Sequence, residues 1–308
     1  MIKKAEIINY GAAILAMVFW SLSFIWFKIA YLAYQPITVV IFRLTISSGL
    51  IFFIATLFKK LQKPTKKDFL LMVLMAFFEP FIYFLGESYG LLYVSSTVAA
   101  VIVATIPLFT PIVAVYFYKE EISKMNYFGM FISFIGVALV VLNNDFQFSA
   151  SPLGVGLEFC AVFAAIAYSV ILKKLALRYN TLTILAYQNL IGIVLFLPIW
   201  LSVDFNGFIH TPYHPRAFRA IILLAIFSST LAFIFFTQSI RKIGVTRSNT
   251  FINLIPVFVA IFSLIILKES LTLQKVAGIT IVVSGLFLAQ AKRLKPRKDR
   301  KAFEIHIT

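Results

Sequence analysis

Ile106–Gly136 reads IPLFTPIVAVYFYKEEISKMNYFGMFISFIG and Ile255–Gly285 reads IPVFVAIFSLIILKESLTLQKVAGITIVVSG, two copies of one stretch. A constant offset lays Pro107 on Pro256, Lys119-Glu120 on Lys268-Glu269, Gly129 on Gly278 and Gly136 on Gly285. Pro and Gly number only 11 and 13 of 308 residues, so coincidences of this kind in one register point to an internal repeat. Earlier parts of the halves align as well: Trp20 falls on Ala165, Ser23 on Tyr168, Lys28 on Lys173 and Arg43 on Gln188. The matched residues Pro107, Glu120, Gly129, Gly136, Pro256, Glu269, Gly278 and Gly285 read most simply as the scaffold of the repeat.

Composition fixes the solvent around this repeat. The chain is 61% hydrophobic and 13% charged, with a mean hydropathy of +0.95. That leaves too few polar residues to cover a globule in water, so the chain belongs in a bilayer. A hydrocarbon core of about 30 Å needs roughly 20 residues of helix per crossing. Ten spans of that kind lie near 8–29, 36–58, 68–90, 94–118, 125–142, 153–174, 181–202, 217–239, 244–267 and 272–291. The short alternating segments of a β-barrel are missing from the pattern. The first span follows Lys3 and Lys4 but runs on to Phe27 with no small-residue cleavage site, and it reads as a retained helix. Cys160 is the single cysteine, which rules out a disulfide framework.

Charge sets the orientation. With a cytoplasmic N-terminus, the inside segments hold 22 Lys and Arg and the outside segments 5, with Arg43 inside a span. Both termini therefore face the cytoplasm. The formal net charge of +16 is accounted for by that cytoplasmic rim meeting anionic lipid, and it calls for no nucleic acid. Five crossings per half turn the second copy of the repeat upside down. The expected fold is an all-α integral membrane protein of ten transmembrane helices in two inverted five-helix repeats. The repeats are 1–149 and 150–292, followed by a basic cytoplasmic tail, 293–308. Inverted repeats of this kind are a transporter architecture.

VFWSLSFIWFK in span one, IFRLT in span two, YVSSTVAAVIVATIPLFTPIVAVYFYKEEIS through span four, GMFISFIGVALVV in span five and their echo VTRSNTFINLIPVFVAIFSLIILKESLTLQKVAGITIVVSGLFL in the second half resemble EamA modules of the drug/metabolite transporter superfamily. The resemblance covers roughly 10–290. It implies ten helices around a central cavity and transport of small metabolites such as amino acids, nucleosides, sugars or drugs, often outward. Arg43 matches a position where that family commonly has Arg.

Substrate chemistry has to come from polar groups inside the spans, where an ionisable side chain costs roughly 2.5–3.5 kcal/mol on insertion scales. Arg43, Glu79, Glu87 and Glu158 are such groups. Arg43, Glu87 and Glu158 sit at similar outer depth, so an Arg43–Glu87 or Arg43–Glu158 pair is expected, either as a helix-to-helix salt bridge or as part of a gate. Glu79 lies near the middle of span three, before Pro80, and shares a helical face with Tyr83 and Glu87. A midplane carboxylate is costly to keep ionised, which makes Glu79 a candidate proton carrier or cation ligand; a neutral, hydrogen-bonded acid is the plainer alternative. Asn249 and Asn253 recur with Pro256 on one face of span nine, where the first half has Ala100, Ala104 and Pro107. They read either as substrate-binding amides or as interhelical glue. Trp20 and Ser23, opposite Ala165 and Tyr168, suit an aromatic wall with a polar end, and Tyr83, Tyr168 and Gln188 complete the candidate substrate-binding set.

No His lies in a span, and no metal-ligand spacing, cofactor motif or catalytic arrangement is present, so an enzyme is not expected. The expectation is a secondary transporter of the inner or plasma membrane. It moves a small polar or amphipathic metabolite (amino-acid-like, nucleoside-like or drug-like), chiefly outward, by alternating access, with proton coupling as an option. The protein works among membrane lipid as a monomer or homodimer. A lipid-linked metabolite flippase and a facilitative channel are the alternatives.

Overall fold

The computed structural model describes residues 4–109, 120–121, 124–142, 150–243, 248, 251–291 and 295–296. Ten helices are present among them: α1 (Lys4–Ala30), α2 (Pro36–Leu57), α3 (Lys66–Tyr93), α4 (Ser96–Phe109), α5 (Lys124–Val141), α6 (Pro152–Ala176), α7 (Thr181–His210), α8 (Pro215–Lys242), α9 (Phe251–Leu267) and α10 (Leu273–Ala291). Seven helices are long and apolar enough to cross a membrane, namely α1, α2, α3, α5, α6, α7 and α8. The expected spans 94–118, 244–267 and 272–291 appear as the shorter apolar helices α4, α9 and α10, and residues 110–118 and 244–247 lie outside the described set.

Local chemistry starts these helices. Thr65 Oγ1 accepts from Asp68 N (3.2 Å), Ser95 Oγ from Val98 N (3.3 Å) and Asn180 Oδ1 from Thr183 N (2.9 Å), each filling an amide that the first turn leaves open. Pro36, Pro152 and Pro215 occupy first-turn positions, where the missing N–H costs nothing. At the other end of a helix, Lys268 closes α9 in the left-handed region, with φ 59° and ψ 28°.

Two of the long helices are widened at matched places. In α3 the π-helical segment Phe77–Ile82 contains Glu79 at φ −142° and ψ 116°, next to Pro80, which has no N–H to give the ladder. In α8 the segment Leu224–Ala232 is also π-helical. The offset of the repeat lays Glu79-Pro80-Phe81 on Ser228-Ser229-Thr230, so both halves widen the same turn. Widened turns leave carbonyls free for side chains: Thr230 Oγ1 donates to Ala225 O (2.8 Å).

The packing follows the same arithmetic. α3 packs on α6 and α8 on α1, while α2 packs on α7, α4 on α9 and α5 on α10. Replacing each helix by its fifth neighbour in the chain leaves that pattern unchanged. The α5–α10 seam shows why the four repeated glycines are glycines. A Cβ on Gly285 would sit 2.5 Å from Ser133 N and 2.8 Å from Gly129 O, and one on Gly136 would sit 2.6 Å from Val282 N and 2.8 Å from Gly278 O. Gly129 thus meets Gly285, and Gly136 meets Gly278. Each contact joins one glycine to the repeat mate of the other, which is the pattern a two-fold axis produces. Close backbone approach replaces the hydrophobic drive that lipid does not supply.

Glu120 and Glu269, matched by the repeat, sit at opposite ends of α10. Glu120–Glu121 pairs antiparallel with Lys295–Pro296, just beyond the end of α10. Glu269 lies just before its start and accepts from Ser96 N (3.2 Å) and Thr97 Oγ1 (3.3 Å), putting a negative charge on the N-terminus of α4. Nineteen residues of helix separate the ends of α10 by about 28 Å.

Candidate functional site

A cavity of about 70 Å³, enough to hold water, opens between α1, α2, α3, α4, α6, α8 and α9. Among the candidates expected from the sequence, Trp20, Ser23, Arg43, Glu79, Tyr83, Glu87 and Tyr168 line it. α1 contributes Trp20, whose ring meets Phe233 and Phe236 of α8 edge-on at 5.2 and 4.8 Å. Ser23 Oγ donates to Trp20 O at 2.6 Å and is held within its own helix. The widened turn of α3 places Glu79 on the cavity, with Tyr83 and Glu87 above it on the next regular stretch. The Tyr83 hydroxyl donates to Glu87 Oε1 (3.0 Å).

Arg43 is not ion-paired as the sequence led us to expect. Its guanidinium carbon lies 4.2 Å from the Phe84 ring centroid and 4.9 Å from that of Phe27, and Nε donates to Ser229 Oγ (2.8 Å). Nη1 is buried with no hydrogen-bond partner among the described residues. The salt bridge among the described residues is Arg178–Asp68, far from the cavity in sequence, at 2.7 Å. The physical reason is that a planar, weakly hydrated guanidinium is well held between aromatic faces. Tyr83 takes the place at Glu87 that Arg43 was expected to fill.

Glu158 also departs from expectation. It is fully buried in the α3–α6 seam, where a Cβ on Gly90 would lie 2.7 Å from its Oε1. Neither carboxylate oxygen has a hydrogen-bond partner among the described residues. Its through-space neighbours are Glu87 and Lys28, and Lys28 Nζ donates to Leu91 O (2.5 Å) and Val94 O (2.8 Å) at the end of α3. The depth read from the sequence groups Glu158 with Arg43 and Glu87, but helical phase turns it to a different surface.

Gln188 stands behind Tyr168, accepting the hydroxyl through Oε1 at 3.4 Å. Asn253 is fully buried, and neither of its amide atoms has a hydrogen-bond partner among the described residues, so it glues no described helix to another. Asn249 lies outside the described residues, as does the side chain of Glu120. Three hydroxyls escaped notice in the sequence. Ser228 Oγ donates to Phe19 O (3.0 Å), Ser229 holds Arg43, and Thr230 meets Ser47 (2.7 Å), which accepts from Asn189 Nδ2 (2.8 Å). The widened turn of α8 therefore ties α1, α2 and α7 around the site. The one sequence signal was the alignment of SST on Glu79-Pro80-Phe81.

The EamA-like transporter family matches residues 8–142 and again 152–290. The chain belongs to the EamA-like transporter family. It is 27% identical over 289 residues to an uncharacterized transporter of Archaeoglobus fulgidus, covering 91% of this chain and 97% of that one. The uncharacterized transporters YetK and YcxC of Bacillus subtilis are 26% and 27% identical, covering 82% and 93% of this chain and 79% and 94% of theirs. A solved structure titled "Crystal structure of protein" superposes with a TM-score of 0.68 at 16% identity, over 91% of this chain and 97% of that one, and shares the fold. With seven membrane-length apolar helices among the described residues and this family membership, the EamA-like chain is a transporter and an integral multi-pass protein of the plasma membrane. Chemically, its cavity offers a small solute two carboxyl groups, one guanidinium edge and aromatic walls.

Proposed function

We propose that this EamA-like protein is a secondary transporter that exports a small polar or amphipathic metabolite by alternating access. Two inverted halves, 1–149 and 150–292, rock about the substrate, with both termini in the cytoplasm and the tail 293–308 on the inner lipid surface. The observation that carries this reading is the convergence of seven candidate residues from four helices on one cavity. Trp20 and Tyr168 are its walls, Arg43 and Glu87 its charged rim, and Glu79 its proton carrier at the widened turn of α3. Gln188 acts through Tyr168, and Asn253, next in the chain to the lining residue Ile252, supplies a second amide. A monomer suffices for this mechanism, because both halves are in one chain.

The test begins with a thermal-shift screen of the purified protein against a metabolite library, since a bound ligand stabilises by mass action. Hits are then assayed in proteoliposomes. Saturable flux and counterflow are expected, with a rate that responds to a pH gradient in the wild type and not in Glu79→Gln. Flux that neither saturates nor shows counterflow indicates a channel and refutes the carrier reading. An unchanged pH response in Glu79→Gln removes Glu79 as the proton site.

A further inference from the structure

Two tyrosines occupy the same place in the two halves and make the same bond at opposite ends of the molecule. Tyr34, past the end of α1, and Tyr179, past the end of α6, are each 7% exposed. The Tyr34 hydroxyl accepts from the backbone N of His214, the N-cap of α8, at 3.4 Å. The Tyr179 hydroxyl accepts from the backbone N of Thr65, the N-cap of α3, at 3.2 Å. The offsets that align the repeats lay Tyr34 on Tyr179 and Thr65 on His214. Each tyrosine therefore fastens the end of a helix in its own half to the start of a helix in the other.

The fastenings differ in one respect. Tyr179 also donates to Asp68 Oδ2 (2.8 Å), and Arg178 Nη1 donates to Asp68 Oδ1 (2.7 Å). In the other half Asp68 is matched by Ala217 and Arg178 by Ala33, so the outer fastening has no counterpart of this pair. Arg241 of α8 further fixes the strong end by donating to Ala176 O (3.1 and 2.9 Å) and to Tyr179 O.

We propose that Tyr179, Asp68 and Arg178 form a cytoplasmic latch that biases the transporter toward the conformation closed on that side. The inference rests on the alternating-access reading above. In an inverted repeat, exchanging the shapes of the halves converts one open state into the other, so identical fastenings leave the two equally populated. Only unmatched positions tilt the balance, and Asp68 is one. Its carboxylate is 5% exposed and accepts three bonds, from Arg178, from Tyr179 and from Thr65 Oγ1 (2.9 Å) of its own helix, whereas the Arg178 side chain is 63% exposed. The Tyr179 bond to the buried acid outweighs the surface-screened ion pair.

The experiment uses the full chain in proteoliposomes, with Cys160→Ser removing the one native thiol. Spin labels at Lys63 and Leu177, both exposed, report the latch side, and labels at Leu32 and Tyr213, also exposed, report the other side. Distance distributions are recorded by pulsed electron resonance. Asp68→Asn is expected to raise the population open on the latch side about tenfold, equivalent to ~1.4 kcal/mol. Arg178→Ala, a milder change at an exposed side chain, raises it about twofold, and Tyr34→Phe does not raise it. If the latch-side distribution has two populations that neither Asp68→Asn nor Arg178→Ala shifts, the latch is refuted while rocking stands. If both label pairs give one fixed distance in every variant, rocking itself is refuted and the latch falls with it.

Discussion

Gly285→Ala adds one methyl group to the α5–α10 seam, and the structure says where it lands. The new Cβ would meet Ser133 N at 2.5 Å and Gly129 O and Ser133 Cα at 2.8 Å. All three are backbone atoms, so no side chain can rotate out of the way. Restoring van der Waals contact requires the helices to part by roughly 1 Å, a gap that forfeits a quarter to a half of each dispersion contact along the seam. Overpacking of this kind costs about 1–3 kcal/mol, against which alanine returns up to about 1 kcal/mol of helix propensity. Near the middle of that range a net loss of about 1 kcal/mol is expected. Gly156→Ala is the control: no atom lies within 4 Å of its added Cβ, so only the propensity gain applies and the variant should be as stable as the wild type or slightly more so. Reversible unfolding in mixed micelles measures both. The Gly129→Ala/Gly285→Ala double variant should lose less than the sum of its singles, because the first methyl already parts the helices. If Gly285→Ala unfolds like Gly156→Ala, the close-approach account of the repeated glycines is wrong.

Three further outcomes follow from local geometry. Asn253→Ala should leave unfolding stability intact, since neither amide atom is hydrogen-bonded to a described residue, while weakening the apparent affinity for transported solute; marked destabilisation with normal affinity would restore the glue reading. Lys268→Gly should raise stability by about 1 kcal/mol, because a side chain at φ 59° is disfavoured where glycine is at ease, and equal or lower stability in the same unfolding assay would contradict it. Thr65→Ala should cost about 1 kcal/mol through loss of the α3 cap, read out as a lowered unfolding midpoint.

Much of the architecture was legible because the repeat is written in residues whose role is backbone geometry. Gly129, Gly136, Gly278 and Gly285 mark a close crossing, and Glu79-Pro80 marks a break, since proline cannot complete a ladder. The matching widened turn in α8 was not legible. Its residues Ser228-Ser229-Thr230 carry no proline, and a widened turn there is paid for by bonds to Phe19, Arg43 and Ser47 that only the fold brings together. The partner of Arg43 was hidden for a different reason. Phe27 and Phe84 are two of 34 phenylalanines, and nothing in the sequence singles out the pair that stacks on a guanidinium. Glu158 shows the limit of depth as a guide, because residues at one level of a bundle can face different seams. The latch was spread over positions 65, 68, 178 and 179, which have no shared spacing and become neighbours only when α3 meets α6.

The glycine seam carries one more consequence for motion. Gly129 faces Gly285 and Gly136 faces Gly278, so the midpoint between these crossings is where each half looks at its own copy. A point of that kind maps onto itself when the halves trade shapes. In the rocking mechanism proposed above, the ends marked by Tyr34 and Tyr179 would exchange tight for loose while the centre of α5 and α10 has nowhere to go. Under the proposed rocking mechanism, the residues that most clearly announce the duplication mark its fulcrum, the part that stays still.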